Sequence, residues 1–456
     1  MVAAAALFVL VAVVLAPERA SVQQGPRRFV NGTDPNCGGN TPCHGTIQAA
    51  VNEAHPGETI LVPAGTYIEQ VLIQGKNNTA GAGEVDRIVL EADPAAPLGG
   101  VVLDGAAAVC TNGQAIRPQQ SRFITIRGLT ITGSGGQAIQ LMGGNNQNQG
   151  IHLERLRIFG NGSAECDGGI TIARGNPGTL ILNSLIYANG RNGIATLDVD
   201  GGPHAIIGNT IHGNAWNGVS ITRNHDVLLV NNAITGNGTA AGSTGGRFGV
   251  TRESSSTPNP AGIRLLNNLV CGNRLGEING PVLDGTDASN LTPTGAGGPG
   301  VVASPGCEVA ANVYANAAGA DFTLAPGSPA IDRGMDPRTL GLGSVFDALF
   351  LADFSAEGAR LSDALFDIGA LEFVITTPDT RAPTTVFLRP ATNAFVRQMV
   401  TVDAQATDDT GVASLALSVD FQGLDTSLTR RRRRCRSPGP QPGIRGPSPT
   451  APTPSR

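Results

Sequence analysis

Lysine is almost missing from this chain: Lys76 is the only one in 456 residues. A lysine nucleophile or Schiff base is therefore not a general option. Aromatic residues make up 4% and charged residues 15% of the sequence, too few for a typical compact helical enzyme. The formal net charge is −5, so there is no basic surplus to draw the chain to nucleic acid. No CxxC pair or histidine cluster marks a zinc site. No phosphate-binding loop and no nucleophile elbow occurs. Apart from Val2–Ala16 no segment is apolar enough to span a membrane, and that run is short for a transmembrane helix. It fits the core of a signal peptide over residues 1–20, followed by a secreted or cell-surface chain.

Small and turn-forming residues are abundant, with 62 Gly and 30 Pro beside 40% hydrophobic residues. Short strands joined by tight turns are the expected result, an all-β fold. The seven cysteines are Cys37, Cys43, Cys110, Cys166, Cys271, Cys307 and Cys435. Export would oxidise them. Cys37 and Cys43 bracket a Gly-rich loop and form the first expected disulfide; Cys271 with Cys307 is a second candidate.

A seven-residue unit recurs as Asn183–Asn189, Gly208–Asn214, Asn231–Asn237 and Asn267–Asn273. Its starts lie 25, 23 and 36 residues apart. Alternating strands follow glycine at Gly169-Ile170-Thr171-Ile172, Gly193-Ile194-Ala195-Thr196 and Gly218-Val219-Ser220-Ile221, and Gly262-Ile263-Arg264-Leu265 reads as another copy. A period near two dozen residues with three short strands predicts a right-handed parallel β-helix solenoid, with coils about 4.8 Å apart. Ile170 and Ile172 then point inward while Thr171 and Ala173 face out. The asparagines form a column that hydrogen-bonds from coil to coil and tolerates a left-handed corner. Glycine at the next corner serves the same backbone need. The longest interval holds 238–261, which reads as a loop thrust out of one coil. The leucine spacing of leucine-rich repeats and the aromatic signatures of propellers are missing.

Solenoid ends must be covered. Thr46 is a plausible N-cap for a short helix over Ile47–Ala54, followed by Gly57-Glu58-Thr59-Ile60-Leu61-Val62 and Gly65-Thr66-Tyr67. This stretch resembles the opening segment of pectate-lyase-like β-helix proteins. At the far end, Gly327-Ser328-Pro329-Ala330-Ile331-Asp332 and Asp367-Ile368-Gly369-Ala370-Leu371-Glu372 resemble the close of bacterial surface β-helix proteins of the choice-of-anchor Q group. The family's common tyrosine is Leu371 here. Its Asp and Arg residues, Asp353, Arg360 and Asp367 among them, read as hydrogen-bonding staples of a terminal cap. The β-helix is thus expected over 30–373, with a linker at 374–382. Val400–Val412 resembles part of a bacterial immunoglobulin-like module, truncated to 383–428. The rest, 429–456 with Arg430–Arg434, has no hydrophobic period and reads as a disordered basic tail.

The strand register yields one cluster of charges. Five residues beyond Gly169, Gly193 and Gly218 lie Arg174, Asp198 and Arg223; Asp200, His225 and Asp226 lie close by. Stacked coils would bring the first three about 5 Å apart. Arg174 or Arg223 could act as base or uronate clamp, with His225 beside them. Asp198 and Asp200 could hold Ca²⁺ or act as acid and base. A surface ion ladder worth little is the plainer alternative. Trp216, the only tryptophan, could stack on a sugar or cover a coil corner. His152 and His212 read as structural. Two functions follow from this reading. One is a monomeric surface β-helix that binds a polysaccharide or surface glycan. The other is a polysaccharide lyase or related carbohydrate-active enzyme acting on an acidic polysaccharide. The absence of Asp-Asp, Gly-His-Gly and Arg-Ile-Lys strings in the coils favours the first.

Overall fold

A computed structural model describes residues 25–373 except 107–109, 111–112, 145–146, 164–165, 167, 198–201, 223–225, 241–245, 254–261, 281–287, 344–345, 356–359 and 361–364, and four strands between 384 and 430. The expected signal segment and the chain beyond Arg430 lie outside the described residues.

Residues Ser21–Val374 form one compact unit. Three parallel sheets run its length, with ten, ten and eight strands. They are named A, B and C here, in the order that a coil visits them. Strands Thr179–Leu182, Leu185–Tyr187 and Ile194–Leu197 make one such passage, and the chain then returns to sheet A one coil further on. Ile60, Leu90, Ile126, Leu153, Ile181, Ile206, Leu229 and Leu265 align across sheet A. None is more than 1% exposed. Each such side chain contributes about 1.5–3 kcal/mol on burial. The chain is an all-β solenoid, a right-handed parallel β-helix.

Two different residues divide the work at each corner. At the A-to-B corner Asn183, Gly208, Asn231 and Asn267 hold the left-handed turn, with φ of 49, 61, 54 and 51°. The next residue carries the ladder: Asn209, Asn232 and Asn268 each donate from Nδ2 to the following asparagine, ending at Asn290, over 2.9–3.0 Å. The corner after sheet B repeats the device through Asn161, Asn189, Asn214, Asn237 and Asn273 at 2.9–3.1 Å. Glu277 closes that ladder by accepting from Asn273 Nδ2 at 2.6 Å. Fully satisfied buried amides stiffen the stack instead of burdening it.

The glycines before sheet C answer a different need from the one expected. They are not left-handed. A Cβ on Gly193 would lie 2.8 Å from the Gly218 carbonyl, and one on Gly218 2.7 Å from that of Gly249. Close stacking, rather than a positive φ, excludes side chains there. That column also corrects the reading of the long interval. Phe248–Glu253 is a strand of sheet C, pairing with Val219–Thr222. Ile263–Leu266 belongs to sheet A. Both are alternating strands near a glycine, and only the pairing separates them.

At the N-terminal end the helix is Ile47–Glu53, with the Thr46 hydroxyl accepting from Ala49 N at 3.0 Å. Glu69 supplies a second cap, accepting from Ile47 N and Gln48 N at 2.9 Å each. Ile47, Ala50 and Val51 cover the first coil.

The other end does not behave as a terminal cap. After the last sheet B strand, Val301–Ala303, the chain folds back as a strap along the outside of the solenoid. Tyr314, Phe322, Phe354 and Ile368 cover the outer face of sheet B; Met335, Leu340, Phe346 and Phe350 cover that of sheet A. The corner asparagines fasten it. Asn183 Nδ2 donates to Ala352 O at 2.6 Å, Asn231 Nδ2 to Met335 O at 2.7 Å and Asn267 Nδ2 to Arg333 O at 2.8 Å. Buried Arg360 donates to Glu372 Oε2 at 2.8 Å, Asp367 O at 3.0 Å, Gly369 O at 2.5 Å and Asn183 Oδ1 at 3.2 Å.

Three disulfides are present among the described residues: Cys37–Cys43, Cys271–Cys307 and Cys110–Cys166. The third was not anticipated from the sequence, where its cysteines are 56 residues apart. Beyond Val374, Thr384–Arg389 pairs antiparallel with Asp403–Thr407, and Leu415–Phe421 with Leu424–Arg430.

Candidate functional site

Sheet C and its two bordering turns carry Arg174, Trp216 and Asp226 of the residues singled out above. Its outward column runs Gln140, Thr171, Ala195, Ser220, Thr251 and Asn279. Thr171, Ala195, Ser220 and Thr251 are buried, although their side chains point away from the solenoid interior. The face is neutral and hydroxyl-rich.

On the turn leading into sheet C, the Arg191 guanidinium lies 4.4 Å from the Trp216 ring centroid, and Trp216 N donates to Arg191 O at 2.8 Å. Gly246 lies against the ring, where a Cβ would come within 2.9 Å. Asn192 Oδ1 accepts from Asn217 Nδ2 at 3.0 Å, and Asn217 Oδ1 from Phe248 N at 2.9 Å. Trp216 is half-buried in this frame and covers a coil corner.

The turn leaving sheet C carries Arg174, whose side chain is exposed and whose carbonyl accepts from Gly144 N at 3.1 Å. Below it Asn148 Nδ2 donates to Asn176 Oδ1 at 2.8 Å. Asp226 lies on the same margin, exposed and left-handed at φ 61°. Arg174 and Trp216 therefore border opposite edges of sheet C and do not meet. Asp198, Asp200, Arg223 and His225 lie outside the described residues. The pairing that leads to them is Ile172 with Thr196 and Leu197 with Thr222. Among the described residues no group of three or more His, Cys, Asp or Glu side chains is placed to hold a metal.

A second charged group, on the outer face of sheet A, escaped the sequence reading. Arg127 bridges Glu91 and, at 3.5 Å, Glu154. His152 lies 3.5 Å from Glu154, and Arg87 lies 3.3 Å from His152. Burial pushes the Glu154 carboxyl up, but His152 and the Arg127 charge outweigh it and hold the pKa below the usual range. The only signal was an interrupted apolar alternation, at irregular spacing in coils without the Asn-containing unit. Elsewhere, a hollow over the Cys37–Cys43 loop is lined by Asp34, Asn36, Asn40 and Thr41. Asp34 there accepts from Asn36 N and Gly38 N, which lower its pKa.

Residues 102–268 match the family model described as right handed beta helix region. No curated protein matches the chain. Solved structures similar to it include pectate lyase Pel9A, at 16% identity over 77% of this chain and 98% of that one, TM-score 0.46. An alginate lyase from Paenibacillus sp. matches at 17% identity over 58% of this chain and 76% of that one, TM-score 0.35. A lacto-N-biosidase from Eubacterium ramulus matches at 13% identity over 60% and 56%, TM-score 0.39.

Proposed function

We propose that the chain is a secreted or cell-surface β-helix that binds a polysaccharide or surface glycan along sheet C without cleaving it. The observation that carries this reading is the rim of sheet C, where Arg174 and Asn279 are exposed and Gln140 and Trp216 half-buried around a buried, neutral outward column. These side chains offer amides, a guanidinium and an aromatic ring that can hydrogen-bond or stack on a sugar. The Arg191–Trp216 corner and Arg174 border the column on either side. The three disulfides fit an oxidising, extracellular setting. The protein acts as a monomer in this reading.

The alternative is a lyase or hydrolase on acidic polysaccharide, using Arg174, Asp198, Arg223 and His225, with Asp198 and Asp200 as Ca²⁺ ligands and Asp226 nearby. The pairing of Leu197 with Thr222, the residues that precede Asp198 and Arg223, favours keeping it.

The test is incubation with pectate, alginate and neutral glycans, with and without Ca²⁺. Binding is followed by affinity electrophoresis, and cleavage by unsaturated-product absorbance and new reducing ends. Retardation without product is expected. Product formation that Arg174→Ala abolishes would overturn the binding reading in favour of the enzyme; no retardation and no product would overturn both.

A further inference from the structure

His212 stands where the strap meets sheet B. It ends the strand Thr210–His212 and points outward. Its ring lies 5.8 Å from that of Tyr314 and 5.3 Å from that of Phe322, both carried by the strap's antiparallel pair Tyr314–Asn316 and Asp321–Leu324. Nδ1 is 2.9 Å from the Thr235 hydroxyl, which is 3.0 Å from the Tyr314 hydroxyl. One hydrogen-bonded relay thus crosses from solenoid to strap. The titratable groups facing it are Tyr187 on the preceding strand and Tyr314 on the strap; burial raises both their pKa values. Asp321 is exposed and accepts from Thr323. His152, at the strap's other margin against Phe346, has Glu154 beside it. His212 has no such carboxylate among the described residues.

We propose that His212 is an acid-sensitive latch that holds the strap on sheet B while neutral and releases it when protonated. A charged imidazolium in this half-buried seat has no counter-charge among the described residues, and moving the strap away gives it more water. Burial agrees, pulling the His212 pKa from 6.5 down to about 4. The unfastened state therefore binds the proton more tightly. The latch contributes fully above pH 6.5 and is lost as pH falls towards about 4. The Cys271–Cys307 bond keeps the released strap tethered.

His204, in the same coil but facing the solenoid interior, is also depressed to about 4 by burial, so the test must separate the two. Hydrogen exchange, corrected for intrinsic rates, is followed along the strap and the solenoid as pH is lowered, with dye binding as a report of exposed apolar surface. In the wild type, the peptides holding Tyr314 and Phe322 should lose protection before the sheet B strands, with a several-fold rise in dye fluorescence. His212→Asn keeps a donor and acceptor near Thr235 without titrating, and His212→Phe keeps the ring packing. Either variant, once folded at neutral pH, should leave the strap protected in acid, and His204→Val should leave the wild-type response in place. An unchanged strap midpoint in both His212 variants would overturn the proposal. So would loss of the strap response in His204→Val, or simultaneous loss of strap and strand protection in the wild type.

Discussion

One column on the outer face of sheet A reads Glu91, Arg127, Glu154 in the early coils and Leu182, Ile207, Val230, Leu266 in the later ones. Backbone and pairing are continuous, so the difference lies in what each half meets. The early half seals itself with ion pairs. The later half depends on another part of the chain, and Phe346, packed on His152, marks the change. A solenoid face is therefore neutral ground: the same strand geometry serves a paired-charge surface or a docking site, and side chains alone decide which.

The largest effect expected is at the strap's anchor. Arg360→Ala leaves Glu372 buried without its cation, which should cost about 3–5 kcal/mol and detach the strap; a protease should then cut within Arg333–Phe373 while solenoid strands resist. Intact resistance would show that the apolar half holds the strap unaided. Next, Glu154→Leu strands Arg127 on one partner and should cost about 3 kcal/mol in chemical denaturation. Replacing Glu91, Arg127 and Glu154 together by Leu should be neutral or stabilising. If the triple variant is as unstable as the single, the charges do more than seal a face. The smallest effect sits on the boundary: Phe346→Ala should cost roughly 1.5 kcal/mol and loosen only the 346–350 end of the strap. Uniform loosening along the strap would argue against two separately built halves.

The solenoid was legible because its repeating unit is chemical as well as periodic. Asn189, Asn214 and Asn237 each bond the asparagine of the next coil, ending at Asn273, so the spacing of those letters is the spacing of coils. The long interval misled because Gly262-Ile263-Arg264-Leu265 and Gly249-Val250-Thr251-Arg252 look alike, and only pairing assigns them to different sheets. The strap was visible as a motif but not as a place. Arg360 reads as a staple, yet its partner Asn183 lies far away in sequence, as does Thr210, whose hydroxyl accepts from Ala370 N. The Cys110–Cys166 bond was hidden for the same reason. The candidate site was legible only as a register: Arg174 and Trp216 lie on opposite borders of sheet C, and the Arg191 partner that fixes Trp216 carried no motif.

The strap also alters how this molecule can come apart. A bare solenoid behaves like a stack of coins: each coil touches only its neighbours, and fraying at one end is not felt at the other. Here a single segment is tied to Asn183, Asn231 and Asn267 and reaches back to His152, so coils that never touch share one fastening. Removing any of them loosens the fastening of the rest. The later coils should therefore melt as one block, with the sharp transition of a globular domain, while the early coils keep the gradual fraying of a repeat array.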